Sequence, residues 1–389
     1  MTNRELRYIQ EAIRAEALDG WLFCNFHHRD MLSDTILHIA RGSANSRTWV
    51  YAVPARGEPL KIVHTIEAEI LAELPGSQRI YLSREDFIVA LRALAHKVWG
   101  VHSSETLPSI SYLDAGTAGA FEKAGLILGS AGGLIQRFKS LLDGRGMETH
   151  EKAAHALYEI VGIAWERVKK GYKDRETLYE GDIRDVMLGE LERRSLVTDH
   201  PPIVGAGVNS GNPHYDFSGS GAALKEGDPL QFDIWAKENQ ENAVYADISW
   251  AGVFGASPSP HIEQVFADLV KVREETYRFI ETELEAGRSL SGNQVDIKAR
   301  ELLIRLGYGS EIKHRTGHGI DTECHGSGVN MDSVEFPDSR LLLEGSCFSL
   351  EPGVYFSDFG LRTEIDVYIL NGRPVVSGKE RQFALLVCR

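Results

Sequence analysis

The chain has 389 residues, 43% hydrophobic and 25% charged, with a formal net charge of −14. Such an acidic balance disfavours nucleic acid or an anionic membrane as partner, since both demand basic surface, and no apolar run is long enough to span a bilayer. The length exceeds one average domain, so two are expected.

The opening "MTNRELRYIQEAIRAEALDG" reads as an amphipathic helix through Leu6, Ile9, Ile13 and Leu18, without the apolar centre of a signal peptide. "GWLFCNF" and "RTWVYAVPARGEPLKIVH" read as strands. "SREDFIVALRALAHKVW" reads as a helix with Ser83 as N-cap, and "SISYLD" as a further strand. This mixture predicts an α/β domain over residues 1–146, closed where "DGRG" breaks the helical pattern. Four cysteines, Cys24, Cys324, Cys347 and Cys388, show no C-x-x-C spacing and read as reduced thiols of a cytoplasmic protein.

Residues 147–389 follow a different plan. Helices are expected at about 148–170 and 178–195, strands through about 255, helices at about 260–285 and 291–306, and strands to the end. Helix–helix–sheet thus occurs twice. "EGDIRDVMLGELERRSL" and "GNQVDIKARELLIRLGYG" occupy equivalent places in the two halves.

Within the first half, "QFDIWAKENQENAVYADISW" reads as two strands and a turn. Leu230, Phe232, Ile234 and Ala236 share one face, while Gln231, Asp233 and Trp235 share the other. Tyr245, Asp247 and Ser249 share a face of the second strand. Folding the segment about Gln240 sets Asp233 opposite Asp247. Two carboxylates ~4 Å apart repel by about 4 kcal/mol at an effective dielectric near 20. Either the register differs or something positive sits between them.

Downstream, "HRTGHGIDTECHG" offers His314, His318 and His325. "SLEPGVYF" sets Glu351 at a strand end, and "GLRTEIDVYIL" alternates so that Arg362, Glu364 and Asp366 share a face. Singly these are ordinary: a strand-edge aspartate, a Pro-Gly turn, a loop histidine. Together, four carboxylates and one imidazole form an oxygen-rich set suited to divalent cations. Two such ions about 3.5–4 Å apart can activate water and hold a carbonyl.

The ordered set, an aspartate pair followed by H-x-x-G-H-G-I, S-x-E-P-G-x-Y and R-x-E, resembles the M24 metallopeptidases: aminopeptidase P, prolidase and methionine aminopeptidase. The resemblance implies a pita-bread catalytic domain with pseudo-twofold helix–helix–sheet halves. The preceding α/β domain points to the aminopeptidase P and prolidase branch. By resemblance, the metal ligands are Asp233, Asp247, His318, Glu351 and Glu364, with Asp247 and Glu364 bridging two ions (manganese, zinc or cobalt). Glu351 also shuttles a proton. His214 and His325 serve catalysis and contact substrate, His314 lines the pocket, and Arg362 orients the bridging glutamate. The implied substrates are short peptides with proline in second position, and the implied assembly is at least a homodimer. A creatinase-like C–N hydrolase and a non-catalytic binding protein are the alternatives, and each is expected to lack part of this ligand set. Three features depart from the family pattern: a long Asp233–Asp247 connection, Asp321 in place of a glycine, and Gly326 in place of an acidic residue.

Overall fold

Strand β1 (Gly20–Asn25) buries Trp21 and Phe23 on one side and Leu22 on the other. A strand apolar on both faces belongs inside a sheet covered on both sides. In the computed structural model, which describes residues 1–389 apart from the side chain of Asn3, that sheet has six strands. The others are β2 (Trp49–Pro54), β3 (Leu60–His64), β4 (Ser77–Tyr81), β5 (Val98–Val101) and β6 (Ile127–Ser130), in the order β4-β3-β2-β1-β5-β6. Helices α1 (Asn3–Ala15) and α2 (Met31–Leu37) cover the Trp21 face with Ile9, Ile13, Leu32 and Leu37. Helices α3 (Arg84–Leu91) and α4 (Ala115–Lys123) cover the other with Phe87, Leu91, Ala120 and Phe121, and a short α5 (Gly132–Ile135) follows β6.

Two local expectations fail here. Ser83 does cap α3, but the helix ends at Leu91 and Val98–Val101 is a strand. His96 takes a left-handed conformation, φ 60°, which ends the helical path before the β-forming Val98 and Trp99. "SISYLD" is no strand: Pro108–Ile110 forms a 3-10 turn, and Asp114 caps α4.

The chain divides into Met1–Lys139 and Ser140–Arg389, ahead of the expected 146/147 boundary. "DGRG" starts a helix where it was expected to stop one. Asp143 accepts a hydrogen bond from the Gly146 N–H at 2.7 Å and caps α6 (Gly144–Asp174).

The second unit repeats one plan. Helices α6 and α7 (Glu180–Arg193) precede β7 (Leu196–Val197), β8 (Ile203–Ala206), β9 (Pro229–Glu238) and β10 (Ala246–Val253). Helices α8 (Pro260–Glu285) and α9 (Gly292–Arg305) precede β11 (Cys347–Leu350), β12 (Gly353–Tyr355), β13 (Gly360–Arg362), β14 (Ile365–Leu370) and β15 (Arg373–Val376). This is the pita-bread layout. Leu230, Phe232, Ile234 and Ala236 of β9 pack on Leu157, Val161 and Trp165 of α6, so the predicted apolar face is the core face. The opposite face carries Asp233. Among the described residues no helix is long and apolar enough to cross a membrane.

Two corrections bear on the site. The β9–β10 register pairs Asp233 with Ser249 and Asp247 with Trp235, two residues away from the register that sets Asp233 opposite Asp247. The connection between β9 and β10 runs from 239 to 245 and includes Asn242 in a left-handed conformation, φ 61°. An even slip keeps both aspartates on one face but seats a serine between them. The expected strand 360–370 is broken: β13 pairs with β12, β14 pairs with β11, and Thr363 and Glu364 lie in the break. Buried Arg273 of α8 donates to Thr363 Oγ1 at 2.6 Å and fixes it.

Candidate metal centre

Asp233 and Asp247 enter from β9 and β10. Ser249 Oγ lies 3.0 Å from Asp233 Oδ1 and 2.7 Å from Glu364 Oε2, so its single proton serves one carboxylate at a time. Glu364 is drawn in by its own N–H, which donates to the Ser249 carbonyl at 3.2 Å. Glu351 follows β11 directly, and Ser349 links it to the histidine loop. Ser349 Oγ accepts from the His318 N–H at 3.0 Å and donates to Glu351 Oε1 at 3.1 Å. Gly317 permits this approach, because a methyl group there would overlap the Ser349 carbonyl. His318 turns Nδ1 toward the Gly319 carbonyl at 3.4 Å. Its Nε2 lies 3.4 Å from Asp247 Oδ2 and 3.6 Å from Glu351 Oε1.

All five predicted ligands therefore meet, and all are buried. Three overlapping groups have donor atoms within 4.8 Å of one another: Asp233, Asp247, Glu364; His318, Glu351, Glu364; and Asp247, His318, Cys324.

The electrostatics mark a shortage of positive charge. Burial raises the carboxyls of Asp233 and Asp247, each to about 6. Glu364 is raised well above the usual range, by burial and then by Asp247, Glu351 and Asp233. Arg362 offsets only part of this. Its Nη2 pairs with Asp233 Oδ2, its Nε donates to Ser249 Oγ at 2.9 Å, and its Nη1 lies 3.8 Å from Glu351 Oε2. Burial lowers His318 to about 4, leaving a neutral imidazole with a lone pair to give. Asp247 Oδ1 is buried without a hydrogen-bond partner. Such an orphan costs about 1–3 kcal/mol unless something else engages it. Crowded carboxylates, a neutral imidazole and an orphaned oxygen fit divalent ions.

The remaining predicted residues flank this centre. His325 is exposed, its ring centroid 4.3 Å from that of His318, and the neighbouring His318 lowers it to about 3. His214 is exposed on a turn outside the three donor groups. His314 is half-buried: Nε2 meets Tyr355 OH at 2.7 Å, Nδ1 meets the Arg315 carbonyl at 2.6 Å, and Glu351 Oε2 lies 4.0 Å away.

Sequence reasoning assigned no role to Ser249, Ser349, Asp366 or Cys324. Ser249 was within reach, since it shares the Asp247 face, and Ser349 sits two residues before Glu351 on the same strand face. Asp366, on the predicted Glu364 face, accepts the Asp247 N–H at 2.7 Å. The two loop departures prove to be one arrangement. Asp321 is buried, and its oxygens accept the Glu323 and Ser327 N–H groups, each at 2.9 Å. A Cβ on Gly326 would lie 2.6 Å from the Asp321 carboxyl carbon, so the aspartate occupies the space a side chain at 326 would need.

Residues 148–371 match metallopeptidase family M24. The chain belongs to that family. An Xaa-Pro dipeptidase of Pyrococcus furiosus is 27% identical over 238 residues, 61% of this chain and 62% of that protein. One from Lactobacillus delbrueckii subsp. lactis is 25% identical over 204 residues, 52% and 50% of the two chains. The chain thus matches between about half and three-fifths of the length of these relatives. Whole-chain similarity is seen with solved structures. Dipeptidase PepE from Mycobacterium ulcerans has a TM-score of 0.70 at 21% identity, covering 99% of this chain and 97% of that one. The prolidase from Pyrococcus horikoshii OT3 gives 0.63 at 18%, covering 98% and 100%. The N-terminal domain of FACT complex subunit SPT16 from chickpea gives 0.67 at 13%, covering 98% and 96%. At these identities the likeness is one of fold, and function has to be argued from the site. The M24 family implies use of a divalent metal, which the donor set fits.

Proposed function

We propose that the protein is a metal-dependent peptidase that hydrolyses the bond before proline near the N-terminus of short peptides. The observation that carries this reading is the convergence of Asp233, Asp247, His318, Glu351 and Glu364 in overlapping groups spanning no more than 4.8 Å each. Two divalent ions (manganese, zinc or cobalt) suit such a set, with Asp247 and Glu364 the residues that would be shared: each belongs to two groups and has two oxygens, whereas His318, also in two groups, has one free ring nitrogen. When bound, they supply Lewis acidity toward a carbonyl and toward water.

The chain's own residues do the rest. Glu351 holds and passes a proton at Oε2, while Ser349 occupies Oε1. Arg362 keeps Asp233 ionised and, with Ser249, sets the carboxylates' orientation. His325, neutral at pH 7, offers a hydrogen bond to charge developing on the substrate oxygen. His214 and His314 are assigned to substrate contact, His314 beside Glu351. A bond before proline has no N–H, so the site needs no acceptor for one.

The test is metal analysis of purified protein, with Xaa-Pro, Xaa-Pro-Yaa and matched Xaa-Ala peptides assayed with manganese or cobalt. Two ions per chain and faster cleavage of the proline series are expected. Equal cleavage of the alanine series leaves a general dipeptidase. Hydrolysis of a non-peptide amide alone favours the creatinase-like alternative.

A further inference from the structure

Cys324 sits in the loop that carries His318, and three features bring its sulfur to the metal centre. The first is the loop itself. Asp321 accepts the Glu323 and Ser327 N–H groups, and the Gly326 N–H donates to the Gly319 carbonyl at 2.8 Å. The loop closes on itself so that Glu323 and His325 are exposed while Cys324, between them, is 1% exposed. The second is spacing. Cys324 Sγ lies 3.1 Å from Asp247 Oδ2, which lies 3.4 Å from His318 Nε2, and the three donors fall within 4.8 Å of one another. Metal–sulfur bonds of about 2.3 Å and metal–oxygen or –nitrogen bonds of about 2.0–2.2 Å, meeting at about 90–110°, set donor separations of roughly 3.0–3.6 Å, a range that the Cys324–Asp247 and Asp247–His318 distances meet. The third is the state of the aspartate that the thiol meets. Asp247 Oδ1, on a side chain 6% exposed, is buried without a hydrogen-bond partner. Asp247 is therefore oriented by the thiol at one oxygen and unsatisfied at the other.

We propose that Cys324 is a sixth protein ligand, binding through Sγ the ion that His318 and Asp247 bind. This rests on the metallopeptidase reading and deepens it. One of the two positions is then a mixed oxygen, nitrogen and sulfur site, which selects zinc or cobalt over manganese. Binding forms the metal–sulfur bond and releases the thiol proton, now donated to Asp247, to solvent. Cys347 serves as the contrast. It is equally buried, but its sulfur lies 3.6 Å from His150 Nε2, and Cys347 belongs to none of the three donor groups.

The test loads the full chain with cobalt(II) alone and records its absorption. Wild-type protein is expected to show a sulfur-to-cobalt charge-transfer band in the near ultraviolet. Cys324→Ser should lose it while keeping the visible cobalt bands, and Cys347→Ser should keep both. In calorimetric competition, Cys324→Ser should lower the ratio of zinc to manganese affinity by about tenfold or more. Cobalt bound in equal amount, with the same near-ultraviolet absorption in wild type and Cys324→Ser, overturns the assignment and leaves the thiol as a hydrogen-bond donor to Asp247. Absence of bound cobalt in the wild type overturns both this assignment and the metal reading beneath it.

Discussion

The two halves of the second unit have the same layout but deliver their carboxylates differently. The first half uses an unbroken hairpin, with Asp233 and Asp247 on one face of β9 and β10. The second uses interruptions: Glu351 stands just past β11, and Glu364 lies in the gap between β13 and β14. Yet each half supplies one carboxylate found in a single donor group (Asp233, Glu351) and one found in two (Asp247, Glu364). A regular strand sets side-chain direction by its period of two. A break sets it by whatever pins the backbone, here Arg273 on Thr363 and the Ser249 carbonyl on Glu364.

The largest expected effect tests that equivalence. Asp247→Ala and Glu364→Ala should each cost both ions and reduce activity by about a thousandfold or more, beyond the 10–100-fold typical of residues that only orient ligands. Asp233→Asn and Glu351→Gln should each cost one ion. Metal content by mass spectrometry decides, and equal loss in all four variants would break the comparison.

Next come the histidines, which belong to neither sheet. His318→Ala should weaken metal binding. His325→Ala should keep the metal and lower kcat by roughly 10²–10³-fold, as for loss of one hydrogen-bond donor to developing charge. Equal metal loss in both variants would show that the two roles are confused.

Removing the residue that stands between the hairpin and the break sharpens the comparison. Ser249→Ala should lower metal affinity or activity by about 10–100-fold, read by calorimetry. An unchanged affinity would mean that Asp233 and Glu364 hold their positions independently.

A pH effect follows from the shared burial. Asp233 and Asp247 ordinarily titrate at 3.8 but are raised to about 6 in the metal-free fold. Between those values the unfolded chain has released protons that the fold retains, so these groups make metal-free stability fall as pH rises from about 4 to about 6. A bound cation removes that cost. The rise in melting temperature on adding metal should therefore grow across this window, as scanning calorimetry would show. A rise independent of pH would contradict it.

The smallest effect concerns the histidine loop. Gly326→Ala should destabilise by about 1–3 kcal/mol through overpacking against Asp321. In the Asp321→Ala background the same change should cost less. Additive losses in denaturant titrations would separate the two positions.

The sequence by itself determined the helix–helix–sheet duplication and the apolar face of β9, and its resemblance to a family pointed to the five residues that the fold brings together. Periodicity carries the faces, and short-range spacing carries the H-x-x-G-H-G-I and E-P-G segments. Four features waited for tertiary structure. The hairpin register pairs Asp233 with Ser249 across a loop that holds a left-handed Asn242, which a symmetric folding about Gln240 does not reveal. The break at Thr363 depends on Arg273, 90 residues away in sequence. Helix α6 begins at "DGRG" because Asp143 caps it, although the glycines read as a stop. Cys324 reads as a scattered thiol because its partner Asp247 is 77 residues distant. Local pattern fixes which way a side chain faces along a regular element. What it meets there is set by long-range packing and by hydrogen bonds that no local spacing encodes.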